Sequence, residues 1–234
     1  MPDPWFRSPI FKPIADHALL VEFSDDPGAT VRHAVQQLDR ALAAAPFAGF
    51  CESVPAFVTL AVVFDPLITD HVAVEAHLRR LLAQPDAAPG VPAKRTVEVC
   101  YDIDVAPDLA EVAERTGLSP EAVIEAHLAG HYEVAMYGFA PGYAYLTGVA
   151  ALLHLDRKPA AVRGVAGGSV IIAGAQCLVT TLTMPTGWWV IGRSPTPVLT
   201  GDAMRPFLFD VGDRVVFRRI GRDALAAVTV AGGA

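Results

Sequence analysis

The chain has 234 residues, 53% of them hydrophobic and 18% charged, with a formal net charge of −7. That length allows one large or two modest domains, and the apolar content excludes a disordered chain. The acidic balance argues against a nucleic-acid partner, which calls for a basic face that follows the phosphates.

Residues 18–23 form an apolar strand, stopped by the Ser24-Asp25-Asp26-Pro27-Gly28 loop. Thr30 is expected to cap a helix on which Val31, Val35, Leu38 and Leu42 make one buried stripe at spacings of four, three and four. Residues 50–54 and 57–64 are β-rich runs parted by Pro55, and Asp65-Pro66 closes the second. Asp70 is a good N-cap for a helix carrying Val74, Leu78 and Leu81. A proline-rich loop follows from Pro85 to Pro92, and residues 95–101 return as a strand. The order β-α-β-β-α-β is that of a split βαβ, ferredoxin-like unit. The loop sets the expected boundary, with residues 1–92 as this domain and 93–234 as the next.

The second part opens with a helical pair. Residues 108–116 end at Gly117, a C′ glycine. Ser119 caps the next helix, with Pro120 at its first position and Gly130 just past its end. Such a helix-turn-helix invites a DNA-binding reading, but no lysine or arginine lies between Ser119 and Gly130. From Val134 onward the runs are short, β-rich and punctuated by glycine: 134–137, 169–173, 178–182, 188–191, 213–218 and 227–230. This spacing predicts a barrel or sandwich, making the whole an α+β chain.

No long apolar run is free of charges and turn signals, so no membrane span is expected. The start, Met1-Pro2-Asp3-Pro4-Trp5-Phe6, shows no basic stretch leading into an apolar one, so no signal peptide is expected. Cys51, Cys100 and Cys177 are odd in number and widely spaced, which fits a reducing cytoplasm, and no C-x-x-C metal pair exists. The lysines are Lys12, Lys94 and Lys158; none completes a Walker A loop and none sits in a Met-Lys-Met biotinyl setting.

The stretch from Tyr137 to Gly148, Y-G-F-A-P-G-Y-A-Y-L-T-G, is the hardest to explain as ordinary packing. Pro141-Gly142 is a turn pair, because proline presets φ and glycine takes φ > 0. Aromatics beside such a turn can stack on a flat ligand, which singles out Phe139, Pro141, Gly142 and Tyr145 as site-lining. Gly167, Gly168 and Ser169 either offer N–H groups and a hydroxyl to an oxyanion or simply make a tight entry into the next strand. His127 is either a general base or donor to a substrate carboxylate, or a half-buried histidine bonded to a backbone carbonyl. Arg157 and Arg163 bracket the segment before Gly168 and suit a carboxylate or phosphate. Trp188 reads equally as a core anchor and as a stacking surface. No cluster of metal ligands is visible.

Three spaced motifs, G-F-A-P-G-Y-A-Y-L, V-A-G-G-S-V-I-I-A-G-A-Q and M-P-T-G-W-W-V-I-G-R-S-P, occur in order. They resemble the family of 5-oxoprolinase B subunits, also called allophanate hydrolase subunit 1 or carboxyltransferase subdomain C/D. There the patterns run roughly G-F-x-P-G-F-x-Y-L, V-P-A-G-S-V-x-I-A-G-x-Q and S-P-G-G-W-x-x-I-G-R-T-P. The family's G-L-S-x-x-x-V-I-x-x-H is also present, from Gly117 to His127. The resemblance implies a cyclophilin-like β-barrel for the second domain. It matches Arg157 to the first arginine of P-R-x-x-x-P-R, with Val162 at the second unless a one-residue shift brings in Arg163. It matches Gln176 to a polar contact, and puts Tyr143 where the family carries phenylalanine. The departures in the last motif mark a diverged member.

The implied activity is that of the B subunit in an ATP-dependent 5-oxoprolinase, opening the lactam of 5-oxoproline to glutamate together with two partners, a carboxyltransferase-like C subunit and an A subunit. ATP activates the lactam oxygen for attack by water, with His127, Arg157 and Ser169 as the candidates for catalysis. The alternatives are part of an allophanate- or urea-type amidohydrolase or carboxyltransferase, a regulatory module such as a histidine-kinase inhibitor, or a prolyl isomerase.

Overall fold

A computed structural model describes residues 8–84 and 92–231 of the chain. The chain divides into two compact units, Met1–Val91 and Pro92–Ala234.

The first unit is a four-stranded antiparallel sheet under two helices. Its elements are β1 (Ile10–Ile14), β2 (Ala18–Glu22), α1 (Ala29–Ala44), β3 (Phe50–Pro55), β4 (Thr59–Phe64) and α2 (His71–Leu82), in the sheet order β1-β2-β4-β3. Alternation decides which face is covered. Leu19 and Val21 of β2 and Leu60, Val62 and Phe64 of β4 point one way, and the Val31, Val35, Leu38, Leu42 stripe of α1 packs there with Val74, Leu78 and Leu81 of α2. Asp70 caps α2 through Ala73 N at 2.8 Å. Thr30 caps nothing: α1 begins at Ala29 behind Gly28, which makes no side-chain cap bond.

The split βαβ arrangement is recognisable in β2-α1-β3-β4-α2, but its closing strand is a different one. The edge beside β2 is taken by β1, paired from Ile10↔Glu22 to Ile14↔Ala18. The strand expected there, β5 (Lys94–Val99), instead pairs in parallel with β13 (Arg214–Arg219) in the second unit. A hairpin partner next in sequence closes a sheet edge with little loop entropy, an advantage that β5 lacks. The proline-rich loop expected as a boundary falls largely on residues 85–91, outside the described residues.

In the second unit, α3 (Leu109–Thr116) and α4 (Pro120–Leu128) precede β6 (Tyr132–Tyr137), β7 (Ala144–Thr147), β8 (Val162–Val165), β9 (Ser169–Ala173), β10 (Gln176–Val179), β11 (Met184–Thr186) and β12 (Trp189–Arg193); α5 (Arg222–Ala231) follows β13. The helix ends are as expected: Gly117 is left-handed at φ 71°, and Ser119 Oγ accepts from Ala122 N at 3.1 Å. Residues 227–230, expected as a strand, lie in α5, where the preceding alanine-rich turns favour helix. Among the described residues no helix is long and apolar enough to cross a membrane.

Seven strands in the order β12-β9-β10-β7-β6-β13-β5 curl into a nearly closed barrel. The seam lies between β12 and β5. Cys100 and Arg193 exchange backbone bonds of 2.8 and 2.9 Å, and Glu98 N donates to Thr196 Oγ1 at 3.0 Å. Farther along β12, Asp108 takes over: its N–H donates to Val190 O at 3.0 Å and its Oδ2 accepts from Val190 N at 2.6 Å. The interior holds Val97, Val99, Val134, Leu146, Val170, Ile172, Cys177, Trp189, Ile191, Val215 and Phe217, with Val112 and Val123 from the helices.

The intervening residues of one wall face outward yet are also buried. Ile171 and Ala173 of β9, Leu178 of β10 and Val190 of β12 pack with Tyr143 and Trp188 in a second apolar layer. A β8–β11 ribbon lies in this outer layer, through Val165 and Met184.

Seam closure depends on Gly192, whose missing Cβ would sit 2.6 Å from Val99 Cγ1 and 3.1 Å from Cys100 O. Gly192→Val is therefore expected to destabilise the second unit by about 3 kcal/mol, the upper end for overpacking. Gly221→Ala, where nothing lies within 4 Å, should change little. Denaturant melts of the two variants check this.

Candidate functional site

The outer layer does not fill the space above its wall. It leaves a cleft of about 140 Å³ floored by Ile171 and Leu178 and walled by Tyr143, Tyr145, Trp188 and Arg157, with the 184–187 segment along one side and Phe139 at the rim. Local structure explains why these residues meet. Lys158 N donates to Gly187 O at 2.7 Å, and Trp189 Nε1 donates to Asp156 O at 2.8 Å. Lys158 Nζ is held at 2.6 Å by Asp108 Oδ2, the same oxygen that accepts from Val190 N. Arg157 stands between these anchors, its guanidinium carbon 5.6 Å from the centre of the Trp188 ring. Trp188 meets Tyr145 edge-on, with ring centroids 5.9 Å apart.

The Phe139–Tyr143 turn is wound tightly. Ala140 N donates back to Gly138 O at 2.9 Å, a γ-turn pattern whose central residue, Phe139, has φ 71°. Tyr143 N then donates to Ala140 O at 3.1 Å, with Gly142 at φ 74°, as a Pro-Gly turn requires. A Cβ on Gly142 would also lie 2.8 Å from Leu199 Cδ2, so that side chain would have to shift. A bulky residue with positive φ is uncommon and strained, and Phe139 is besides 78% exposed. Burial pushes the Tyr143 phenol up to about 12, so it remains a neutral donor at pH 7.

A family model for the carboxyltransferase domain, subdomain C and D, matches residues 9–209. The chain belongs to that family. A Bacillus subtilis (strain 168) protein, named as the B subunit of 5-oxoprolinase, is 33% identical over 88% of this chain and 91% of that protein. The crystal structure of TTHA0988 is 32% identical with a TM-score of 0.79, over 88% of this chain but 40% of that one, so this chain spans about two fifths of it. The Kluyveromyces lactis urea carboxylase is 14% identical with a TM-score of 0.74, over 96% of this chain and 23% of that one, a likeness of fold alone.

In this carboxyltransferase-domain chain, the residues singled out from sequence do not all converge. Phe139, Tyr143, Tyr145, Arg157 and Trp188 share the cleft. Pro141 and Gly142, expected as site-lining, do not line it; Pro141 O instead accepts from Thr181 Oγ1 at 2.6 Å. Gly168 belongs to a second cleft, of about 280 Å³, with Gly167, Thr181, Ser194 and Leu199. The oxyanion reading fails there. Gly168 N donates to Thr180 O at 2.5 Å, and Ser169 N donates to Thr180 Oγ1 at 2.9 Å. The Ser169 hydroxyl, buried, donates to Ala166 O at 2.8 Å, so it is a strand-entry clip and no nucleophile. Arg163 is exposed on β8 and lines neither cleft, and Gln176 sits at the β9–β10 hairpin opposite Ala173.

His127 is the clearest correction. It is fully buried, with Nδ1 2.7 Å from Tyr101 Oη, Nε2 3.5 Å from Cys177 Sγ, and the Phe217 ring 4.5 Å away. Burial lowers its pKa to about 3, so it is a neutral core residue that no substrate reaches. The same burial raises the Tyr101 phenol and the Cys177 thiol. Sequence reasoning missed the cleft floor, the side formed by Met184, Pro185 and Thr186, and the backbone of Phe139.

Because an unfolded histidine protonates near 6.5 and His127 only near 3, the unfolded state binds more protons below pH 6.5. Stability present above pH 6.5 is then lost as the pH falls, by about 1.4 kcal/mol per unit from this residue. Denaturant melts at pH 6.5 and 5.5 should show a fall that is shallower by about 1 kcal/mol in His127→Gln, since half of the unfolded histidine is already protonated at pH 6.5. At the cleft rim, Phe139→Asn should keep or raise stability by up to about 1 kcal/mol, since asparagine tolerates positive φ, whereas Phe139→Val should lower it by a similar amount. Thermal melts of the pair decide it.

Proposed function

We propose that this chain is the B subunit of an ATP-dependent 5-oxoprolinase and that its outer cleft holds the cyclic amide while the A and C subunits complete the active site. The observation that carries this reading is the composition of the cleft: aromatic walls, one arginine without a carboxylate partner among the described residues, and no acid–base pair. Arg157 suits the carboxylate of 5-oxoproline, and the rings of Tyr145 and Trp188 suit the flat face of its lactam. Urea, which lacks a carboxylate, leaves the arginine unused. The name of the Bacillus subtilis relative, a 5-oxoprolinase component, supports the same choice.

The cleft does not fit a nucleoside triphosphate. It has about 140 Å³ and a single cation, with no glycine-rich loop to cradle phosphates. We assign ATP to the partner chains. With no proton acceptor in the cleft, the part played by this chain is to bind and orient the ring and to exclude water from its apolar face. The lactam opens only where a partner brings the groups that move protons.

The test is ATP-dependent release of glutamate from 5-oxoproline by the chain alone and then with the A and C subunits. Release is expected only from the assembled enzyme. Turnover by the isolated chain, or none even with both partners, would contradict the reading. In the assembled enzyme, Arg157→Gln should raise KM about 10- to 100-fold, the range for a lost charge-assisted hydrogen bond. His127→Gln and Ser169→Ala should lower stability and leave KM unchanged.

A further inference from the structure

Among the described residues, only two buried side-chain polar atoms lack a hydrogen-bond partner, and one of them is Tyr143 Oη. Its side chain is in the cleft wall and the residue is 3% exposed. A buried hydroxyl without a partner is costly and uncommon in a folded chain. It persists where something outside the chain completes it. The other buried aromatic hydroxyls of this unit are satisfied: Tyr101 by His127 Nδ1, Tyr132 by His127 O and Tyr137 by Phe209 O. Tyr143 is the exception, and it shares its cleft with Arg157, which has no carboxylate partner among the described residues.

We propose that Tyr143 is the specificity-determining residue of this cleft, donating its hydroxyl to a carbonyl oxygen on the ring of a small cyclic carboxylate whose carboxylate is held by Arg157. The inference rests on the functional reading above for its choice of 5-oxoproline as the first ligand, and on the orphaned hydroxyl for the residue. Tyr143 Oη is out of solvent reach in the free chain. Ligand entry therefore displaces a neighbour, and the one built to move is Phe139, its ring 5.6 Å from that of Tyr143, exposed and on strained backbone. A hydroxyl kept dry until the ligand arrives discriminates strongly, because a ring without a carbonyl leaves the donor unsatisfied.

The proposal makes Tyr143 costly to the free protein and useful to the bound one, which no packing role does. Tyr143→Phe in the full chain should raise the thermal midpoint by about 2–4 °C, since it removes an unpaired buried hydroxyl. Calorimetric titration with 5-oxoproline and with cyclopentanecarboxylate, a ring carboxylate without the carbonyl, should show wild type preferring the former about tenfold. Tyr143→Phe should erase that preference by weakening 5-oxoproline alone, and Arg157→Gln should weaken both. A lower midpoint, an unchanged preference, or no binding of either ligand by wild type overturns the proposal. If the assembled enzyme turns over 5-oxoproline while the preference survives in Tyr143→Phe, this inference falls and the function stands. If the assembled enzyme fails while Tyr143→Phe erases the preference, the function falls and this inference stands.

Discussion

The Asp108 carboxylate holds both the seam of the barrel and the arginine of its cleft. An open seven-stranded sheet leaves unpaired N–H and C=O groups along its two edges, here β12 and β5. The Cys100–Arg193 bridge closes one end, and Asp108 satisfies Val190 farther along with both its backbone and its side chain. The same Oδ2 then takes Lys158 Nζ, in a pair only 14% and 11% exposed. A buried ion pair adds little net stability, but losing one partner costs about 3–5 kcal/mol because a buried charge is stranded. Its larger consequence is positional. Lys158 is fixed at both its backbone and its ammonium, and Arg157 beside it is thereby turned over Trp188.

The second constraint is that one barrel wall is buried on both faces. β9 has every residue buried, with Val170 and Ile172 inside and Ile171 and Ala173 outside. Covering such a wall takes an outer layer, and Tyr143, Tyr145, Trp188 and the β8–β11 ribbon provide it. Because that layer is built from a strained turn and a short ribbon and not from a helix, it packs incompletely, and the cleft is the gap. The barrel interior, by contrast, is filled with side chains, including His127 with its neighbours Tyr101 and Cys177.

Much of the fold was legible. The α1 stripe, the Asp70 and Ser119 caps and the left-handed Gly117 are local rules, and local rules read well from one sequence. The strand after the proline-rich loop was legible as a strand but not as a barrel member, because pairing across 120 residues between Glu98 and Arg218 leaves no local trace. The cleft was half legible. Pro-Gly flanked by aromatics marked the turn, and the unbroken apolar run after Ser169, through Ala173, was a usable sign of a wall covered twice. Nothing in the sequence marks Phe139 as the residue with positive φ, since an alanine and a glycine flank it. His127 misled because a histidine on an apolar helix flank looks the same whether its partner is a substrate or a core tyrosine.

The central claim is that this chain meets its ligand on the outer wall of the barrel, at Tyr143, Arg157 and Trp188. Mapping amide and indole NMR shifts of the full chain on addition of 5-oxoproline tests it most directly. The account predicts perturbations concentrated at residues 139–145, Arg157 and 184–188. Perturbations confined to Gly167, Gly168, Thr181 and Leu199, in the neighbouring cleft, would contradict it.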